Sequence, residues 1–177
     1  MTNKLHPLQQ ISFTHANQAY VVEASAGTGK TWTIERLFIK ALLEATQPDN
    51  LLTPLAIENI LVVTFTNDAT DELKQRISEQ IQTTINQIIY LNNQFEQEQI
   101  PATNQDIFLE YLLARQTNSA VNLRKKLFLQ DLTLLTRALQ NFDQAAIYTI
   151  HGFCNRILQD YQFECQTPTE FELLASK

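Results

Sequence analysis

The chain has 177 residues, of which 44% are hydrophobic and 18% are charged, and its formal net charge is −6 at pH 7. This composition is ordinary for a folded globular domain with its own core, and it excludes disorder over most of the length. The negative charge excludes a broad basic surface, so we expect any nucleic-acid contact to be local.

The N-terminal residues and the cysteines narrow the class of protein further. No apolar run approaches the ~20 residues of a membrane-spanning helix, and residues 1–10 lack the basic and apolar regions of a signal peptide. The two cysteines, Cys154 and Cys165, form no Cys-x-x-Cys pair, so neither a disulfide framework nor a zinc finger is predicted. We therefore expect a cytoplasmic protein with no membrane partner.

The first informative segment along the chain runs from Ala24 to Thr31 and holds two of the three glycines. It fits the phosphate-binding P-loop pattern GxxxxGK[ST], except that Ala24 takes the first glycine position. The apolar run over 19–23 predicts a short buried strand before it, and apolar residues at spacings of three and four predict a helix after it, to about Ala45. The apolar face of that helix comprises Ile34, Leu37, Phe38, Ala41, Leu42 and Ala45.

The residue types in this segment suit a nucleoside triphosphate. Gly27 and Gly29 reach positive φ without strain and let backbone N–H groups converge on phosphate oxygens at the start of a helix. Lys30 is placed to reach the β and γ phosphates, and the Thr31 hydroxyl is placed to ligate Mg²⁺. A strand-to-helix turn that merely contains glycine is the plainer alternative. The candidate site consists of Ala24, Ser25, Ala26, Gly27, Thr28, Gly29, Lys30 and Thr31.

A second strand-to-helix junction follows. Residues 60–65 form a β-branched-rich apolar run, typical of a parallel strand buried on both faces, and 66–68 are helix-capping residues. Apolar residues at helical spacing then predict a long helix to about Leu91, and a turn rich in Gln, Asn and Glu is predicted over 92–104. The apolar face of the long helix comprises Ala69, Leu73, Ile77, Ile81, Ile85 and Ile88.

A third junction completes the pattern. Two helices are predicted over 105–115 and from 119 to about 142, and a strand over 145–150 then runs into another helix, with Gly152 marking a bend between them. This alternation predicts an α/β fold, a parallel sheet flanked by helices. Residues 162–177 have no clear period and are predicted to be a loop or the start of a continuation. Because three strands leave ladder groups unpaired, we expect self-association or a partly disordered sheet edge.

The residues at these junctions resemble superfamily 1 helicases of the UvrD/Rep type. Val63 to Ile77 is similar to motif Ia of that family, TFT-x-x-A-x-x-E-hydrophobic-x-x-R-hydrophobic, and Tyr148 to Cys154 is similar to motif Ib. The motif sequences EASAGTGKT, VVTFT and TIHGFC resemble those of the RecB branch. A helical insertion between motifs Ia and Ib, here about 82–144, is also similar to that branch. The resemblance implies a RecA-like P-loop NTPase subdomain, a partial domain 1A, over 1–177.

The resemblance also implies an activity for the full-length protein. It implies an ATP-driven, Mg²⁺-dependent 3′→5′ DNA helicase and exonuclease subunit that acts with RecC- and RecD-like subunits on broken duplex ends, in recombinational repair of double-strand breaks. The apolar run ending in Asp-Glu that would supply a metal-binding carboxylate and a catalytic base is not found, since Asp131 and Asp160 lie in helical contexts. Because phosphoryl transfer needs such groups, we expect this chain by itself to bind nucleotide weakly without hydrolysing it.

By the same resemblance, residues at the carboxyl ends of the second and third strands are candidates for DNA contact. Phe65 would stack on bases, while the threonine hydroxyls and His151 would touch the DNA backbone. Each has a plainer alternative: Phe65 in the core, Thr66 as a helix N-cap, and His151 as a capping or core residue. The candidates are Thr64, Phe65, Thr66, Thr149 and His151.

Adenine recognition is left unassigned. UvrD-like helicases use a glutamine upstream of the P-loop and an arginine soon after it, whereas here Trp32 replaces the arginine and either stacks on a base or packs. Gln9 lies at about the right distance upstream, which the abundance of glutamine in this chain explains equally well.

The rival interpretations are a UvrD- or AddA-like subunit, a small P-loop kinase or nucleotide-binding module, and an architectural piece that docks on RecC-like partners.

Overall fold

The computed structural model describes residues 6–13, 19–23, 25, 27, 29–44, 55–97, 106–117 and 121–162. This part of the chain is mostly helical with a small parallel sheet. Short 3₁₀ turns at Ile57–Asn59 and Phe142–Gln144 precede the two strands. In chain order the helices and strands are α1 (Pro7–Gln10), α2 (Lys30–Glu44), β1 (Val62–Thr64), α3 (Asn67–Glu96), α4 (Ile107–Thr117), α5 (Val121–Gln140), β2 (Ile147–Thr149) and α6 (Ile150–Asp160).

Strands β1 and β2 pair in parallel, with Val62 opposite Ile147 and Thr64 opposite Thr149. This pairing agrees with the parallel arrangement predicted for the second and third junctions. The prediction that the second strand is buried on both faces is wrong, because Val63 is 42% exposed while Val62 packs against the core. In the described residues the core therefore covers only one face of the sheet.

The predicted strand over 19–23 is also absent from the structure. These residues have no strand conformation, and Val21 is 87% exposed. A strand needs a neighbour that completes its ladder of hydrogen bonds, and the described sheet contains β1 and β2 alone. The apolar run before the P-loop is therefore not a buried strand here.

Helix α3 is the longest element of the described chain. The hydroxyl of Thr66 accepts a hydrogen bond from the Ala69 backbone N–H at 3.2 Å and caps its N-terminus. The helix ends at Glu96 rather than near Leu91, so the predicted turn over 92–104 begins too early. The reason is that the buried stripe continues through Leu91 to Phe95, with no glycine or proline to end it.

The core lies where α3 packs against α2 and α5. Helices α4 and α5 begin and end within two residues of their predicted bounds. The predicted apolar face of α2 is confirmed at Phe38, Ala41 and Leu42, but Ile34 is 41% exposed; Ala45 lies outside the described residues. Fully buried side chains from five elements meet in this core: Ile39, Leu43, Ile77, Ile81, Phe108, Leu112, Leu135 and Ile147.

Buried charges on α2 hold the N-terminal segment in place. The Lys40 ammonium donates to the backbone carbonyls of Leu8, at 2.7 Å, and of Ile11, and it lies 3.1 Å from the Glu44 carboxylate. Glu44 in turn accepts a hydrogen bond from the Phe13 backbone N–H. Helix α1, which sequence analysis did not predict, is therefore anchored by tertiary contacts.

A second buried ion pair joins α4 to α5. The Arg115 guanidinium donates to both carboxylate oxygens of Asp131, at 2.9 and 2.8 Å, and the side-chain amide of Gln116 lies 3.4 Å from the same carboxylate. Asp131 is completely buried. Nearby, burial raises the pKa of the Tyr111 phenol above its ordinary value.

Within the described residues, no helix has the length and apolarity to cross a membrane.

Candidate functional site

Both glycines of the candidate P-loop segment have the positive φ that a phosphate-binding turn uses. Gly27 has φ +76° and Gly29 has φ +83°, a region that side chains with a Cβ rarely adopt. A Cβ at Gly27 would meet no atom within 4 Å, so the backbone angle rather than crowding requires glycine there. Three of the candidate residues, Ala24, Ala26 and Thr28, lie outside the described part of the chain.

Helix α2 begins directly after this turn. Lys30 and Thr31 occupy its first turn, which contains no acidic residue that would repel an anion. The Lys30 ammonium reaches back over the loop and donates to the Ser25 carbonyl at 2.9 Å. Backbone N–H groups at a helix N-terminus, a lysine and a hydroxyl are together the donor set that suits a triphosphate and its Mg²⁺ ion. The described residues therefore fit this ligand.

The aromatic side chain next to the loop is engaged in packing. The guanidinium of Arg36 lies 4.0 Å from the ring centroid of Trp32, and the ring of His6 meets Trp32 edge-on at 5.5 Å. Burial lowers the pKa of Arg36. Gln9 accepts a hydrogen bond from the His6 backbone N–H at 3.2 Å, which caps α1. The contacts of Trp32 and Gln9 in this structure are thus with protein groups.

The second and third junctions lie side by side. Because β1 and β2 are parallel and Thr64 is opposite Thr149, helices α3 and α6 both begin at the same edge of the sheet. Thr66 caps α3, and the Thr149 hydroxyl caps α6 by accepting from the Gly152 backbone N–H at 3.0 Å. Two helix N-termini therefore converge at this edge, where their dipoles favour a negative charge.

The cap geometry changes how the threonines are interpreted. A hydroxyl that accepts a hydrogen bond from a backbone N–H still has its own O–H to donate, and a phosphate oxygen can accept it. For Thr66 and Thr149, capping and phosphate contact are therefore compatible. Thr64 differs, because its hydroxyl bonds within the protein to the Thr70 hydroxyl and the Thr66 carbonyl.

The remaining DNA candidates are exposed at the same edge. Phe65 is 86% exposed, which contradicts the core alternative. His151 is exposed in the first turn of α6, where Thr149 supplies the cap. Gly152 is part of α6 and has no positive φ, so the predicted bend is wrong. Glycine suits this position because a Cβ would lie 3.2 Å from the Thr149 hydroxyl oxygen.

Sequence analysis missed a buried carboxylate between α2 and α3. Glu35 is 7% exposed and lies 3.7 Å from Arg76, an arginine of the segment that resembles motif Ia. A periodicity signal was present, since Glu35 precedes the buried residues Phe38 and Ile39 by three and four positions and so shares their helix face. The structure also places Asp131 and Asp160 in helices, as expected.

Comparison with known proteins agrees with the family suggested by the motifs. Residues 5–177 match the UvrD/REP helicase N-terminal domain family. The chain is 41% identical over 168 residues to the RecBCD enzyme subunit RecB of Haemophilus influenzae, with 95% of this chain and 13% of that protein covered. Identity to RecB of Chlamydia pneumoniae is 36% over 143 residues, covering 80% and 11% of the two chains.

RecB of Escherichia coli K12 is 34% identical over 154 residues, covering 87% of this chain and 11% of that protein. The chain thus spans between a tenth and a seventh of the length of these curated relatives. The sequence interpretation as a UvrD/Rep-type protein of the RecB branch is confirmed. The chain belongs to the UvrD/REP helicase N-terminal domain family of superfamily 1, and within that family it is a homologue of a small part of RecB.

Proposed function

We propose that this chain is the ATP-binding portion of a RecB-like DNA helicase subunit, a partial RecA-like domain 1A with a helical insertion at about 82–144. The observation that carries the proposal is the turn at the start of α2, where Gly27 and Gly29 have positive φ and Lys30 bonds back to the Ser25 carbonyl. Family membership supports the same assignment.

The roles of the residues follow from their positions. Backbone N–H groups of the loop and the Lys30 ammonium would hold the ATP phosphates, and the Thr31 hydroxyl would ligate Mg²⁺. ATP supplies the free energy for movement along DNA. At the sheet edge, Thr66 and Thr149 would donate hydroxyls to DNA phosphates, as would His151 through its ring N–H, and Phe65 would stack on a base. The hydroxyl of Thr64, bonded internally, would position that junction.

For the full-length protein we propose a cytoplasmic, ATP-dependent 3′→5′ helicase and exonuclease subunit that acts at broken duplex ends in recombinational repair. Its partners would be DNA and RecC- and RecD-like subunits. The support is homology to proteins named RecBCD enzyme subunit RecB. For this chain by itself we propose weak nucleotide binding without hydrolysis, because Asp131, paired with Arg115, and Asp160 both lie in helices rather than directly after a strand.

Nucleotide titration tests the proposal. A fluorescent non-hydrolysable ATP analogue with Mg²⁺ is titrated into the wild-type chain and into Lys30→Ala. Since a hydrogen bond to a charged group contributes about 1.5–3 kcal/mol, we expect affinity to fall by about ten-fold to a hundred-fold or more in the variant. Lys125→Ala, which removes an exposed lysine of α5, is the matched control and is expected to bind like the wild type.

Two results would count against the assignment. Equal affinity of the wild type and Lys30→Ala would show that the P-loop is not the nucleotide site. ATP turnover by the purified chain that disappears in Lys30→Ala would overturn the proposed lack of hydrolysis, while supporting the site itself.

A further inference from the structure

A buried ionic contact joins the P-loop helix α2 to helix α3. Glu35 lies one turn beyond Thr31, and its carboxylate Oε1 is 3.7 Å from Nη1 of Arg76 on α3. Its other oxygen, Oε2, accepts from the neighbouring Arg36 at 3.2 Å. The Glu35 side chain is 9% exposed, whereas that of Arg76 is 50% exposed. The contact therefore links a buried acid to an arginine at the protein surface.

The geometry leaves this contact incompletely formed. Glu35 Oε1 is buried and accepts no hydrogen bond from the described residues. Arg76 makes its shorter contact with Glu72 instead. Nη2 of Arg76 lies 2.7 Å from Oε1 of Glu72, whose side chain is 60% exposed. An exposed pair of this kind contributes little free energy, whereas a buried acceptor without a donor is costly. Arg76 is therefore held only weakly by Glu72, and the buried Glu35 oxygen would gain a donor if Arg76 and Glu35 moved closer together.

Each of the two residues lies on a helix that begins at one of the candidate sites. Glu35 is about 6 Å along α2 from Thr31, at the end that begins with Lys30. Arg76 is about 15 Å along α3 from Thr66, which caps the end beside Phe65. Helices α2 and α3 pack directly on each other. A small displacement of α2 by a bound phosphate would therefore move the Glu35 carboxylate relative to Arg76.

We propose that the Glu35–Arg76 pair couples nucleotide binding at the P-loop to single-stranded DNA binding at the strand ends. The inference rests on the function proposed above. Glu35 and Arg76 are positioning residues, since neither lies at either candidate binding edge and each acts through the helix that carries it. Nucleotide favours the arrangement in which Arg76 bonds to Glu35, and this shifts α3 and its capped N-terminus. By linkage, DNA changes nucleotide affinity by the same factor.

The experiment measures this factor in both directions with the 177-residue chain. Anisotropy of fluorescein-labelled oligo(dT) gives DNA affinity with and without a saturating non-hydrolysable ATP analogue and Mg²⁺, and the fluorescent nucleotide is titrated with and without oligo(dT). We expect a factor of at least about five in the wild type. In Glu35→Gln, Arg76→Gln and the double variant it should fall to about one, while each affinity measured alone changes by less than about two-fold.

Glu72→Gln is the matched control, because it removes the other partner of Arg76 and is expected to keep the factor or raise it. If Glu35→Gln fails to fold by circular dichroism, Glu35→Asp, which withdraws the charge by one methylene, is expected to lower the factor. A factor that survives in Glu35→Gln, or that is lost equally in Glu72→Gln, overturns the inference. If the wild type binds both ligands without coupling, the inference is overturned and the proposed function stands. If the wild type binds no nucleotide, the proposed function is overturned as well.

Discussion

At the scale of single residues, buried charge in this chain serves packing between helices. Asp131 drew attention in the sequence as one of two acids to be weighed as a catalytic carboxylate, and the structure pairs it with Arg115 at zero exposure. A buried pair adds little net stability compared with apolar residues of the same size, but removal of one partner leaves the other charge buried and unpaired. The pair therefore makes each of its members hard to replace.

Asp131→Asn is expected to lower the free energy of unfolding by about 3 kcal/mol or more, because the amide keeps the size of the side chain while Arg115 loses its counter-charge. Urea denaturation followed by circular dichroism measures the change. Asp160→Asn is the matched control: Asp160 lies 3.4 Å from Arg156, and both side chains are more than half exposed, so its effect should be below about 0.5 kcal/mol. Equal losses in the two variants would contradict the assigned role of Asp131.

At the scale of elements, local signals predicted most of the helices and two of the three strands, and failed for the strand over 19–23. Thr66 and Thr149 were both placed at strand ends from the sequence, and both cap the helices that follow. A cap and an apolar stripe are contained within one helix, so the sequence alone shows them. A strand depends on neighbours distant in the chain, so the run over 19–23, which predicts a strand from its local sequence, forms none in the structure.

The cap of α3 can be tested by itself. Thr66→Ala removes the acceptor for the Ala69 backbone N–H, and we expect a loss of about 1 kcal/mol in the free energy of unfolding. Thr83→Ala, in the middle of the same helix, is the control: its exposed hydroxyl donates to the Glu79 carbonyl, and alanine favours a helix interior, so stability should hold or rise. The cap would be unimportant if both variants unfolded at the same urea concentration.

At the scale of the whole molecule, the described sheet leaves an apolar surface uncovered. The core covers the face that carries Val62 and Ile147, while neighbouring side chains point to solvent. Parallel sheets are normally covered on both faces. An unpaired edge and an exposed apolar patch both favour association between chains. The exposed apolar residues around the two strands are Leu61, Val63, Phe65 and Ile150.

We therefore predict that the purified chain self-associates as its concentration rises. Light scattering coupled to size-exclusion chromatography should show a mass that increases with loading, and Val63→Lys should reduce the increase because a lysine blunts a sheet edge. Leu129→Lys, at a 61% exposed position on α5, is the control and should associate like the wild type. A constant monomer mass at every concentration would show that the exposed sheet does not drive association.

The sequence by itself determined the family, the helices from α2 onward and the positions of the candidate sites, because P-loop glycines, capping threonines and apolar stripes act within a few residues of one another. The sequences of the motifs identified the RecB branch, and the comparisons confirm that assignment. Only the tertiary structure decided which apolar residues are covered, where Lys40 and Asp131 find their partners, and that Glu35 meets Arg76 between α2 and α3. Helix periodicity places Glu35 on a buried face, but the partner of each of these residues depends on contacts between segments far apart in the chain, and no local pattern identifies that partner.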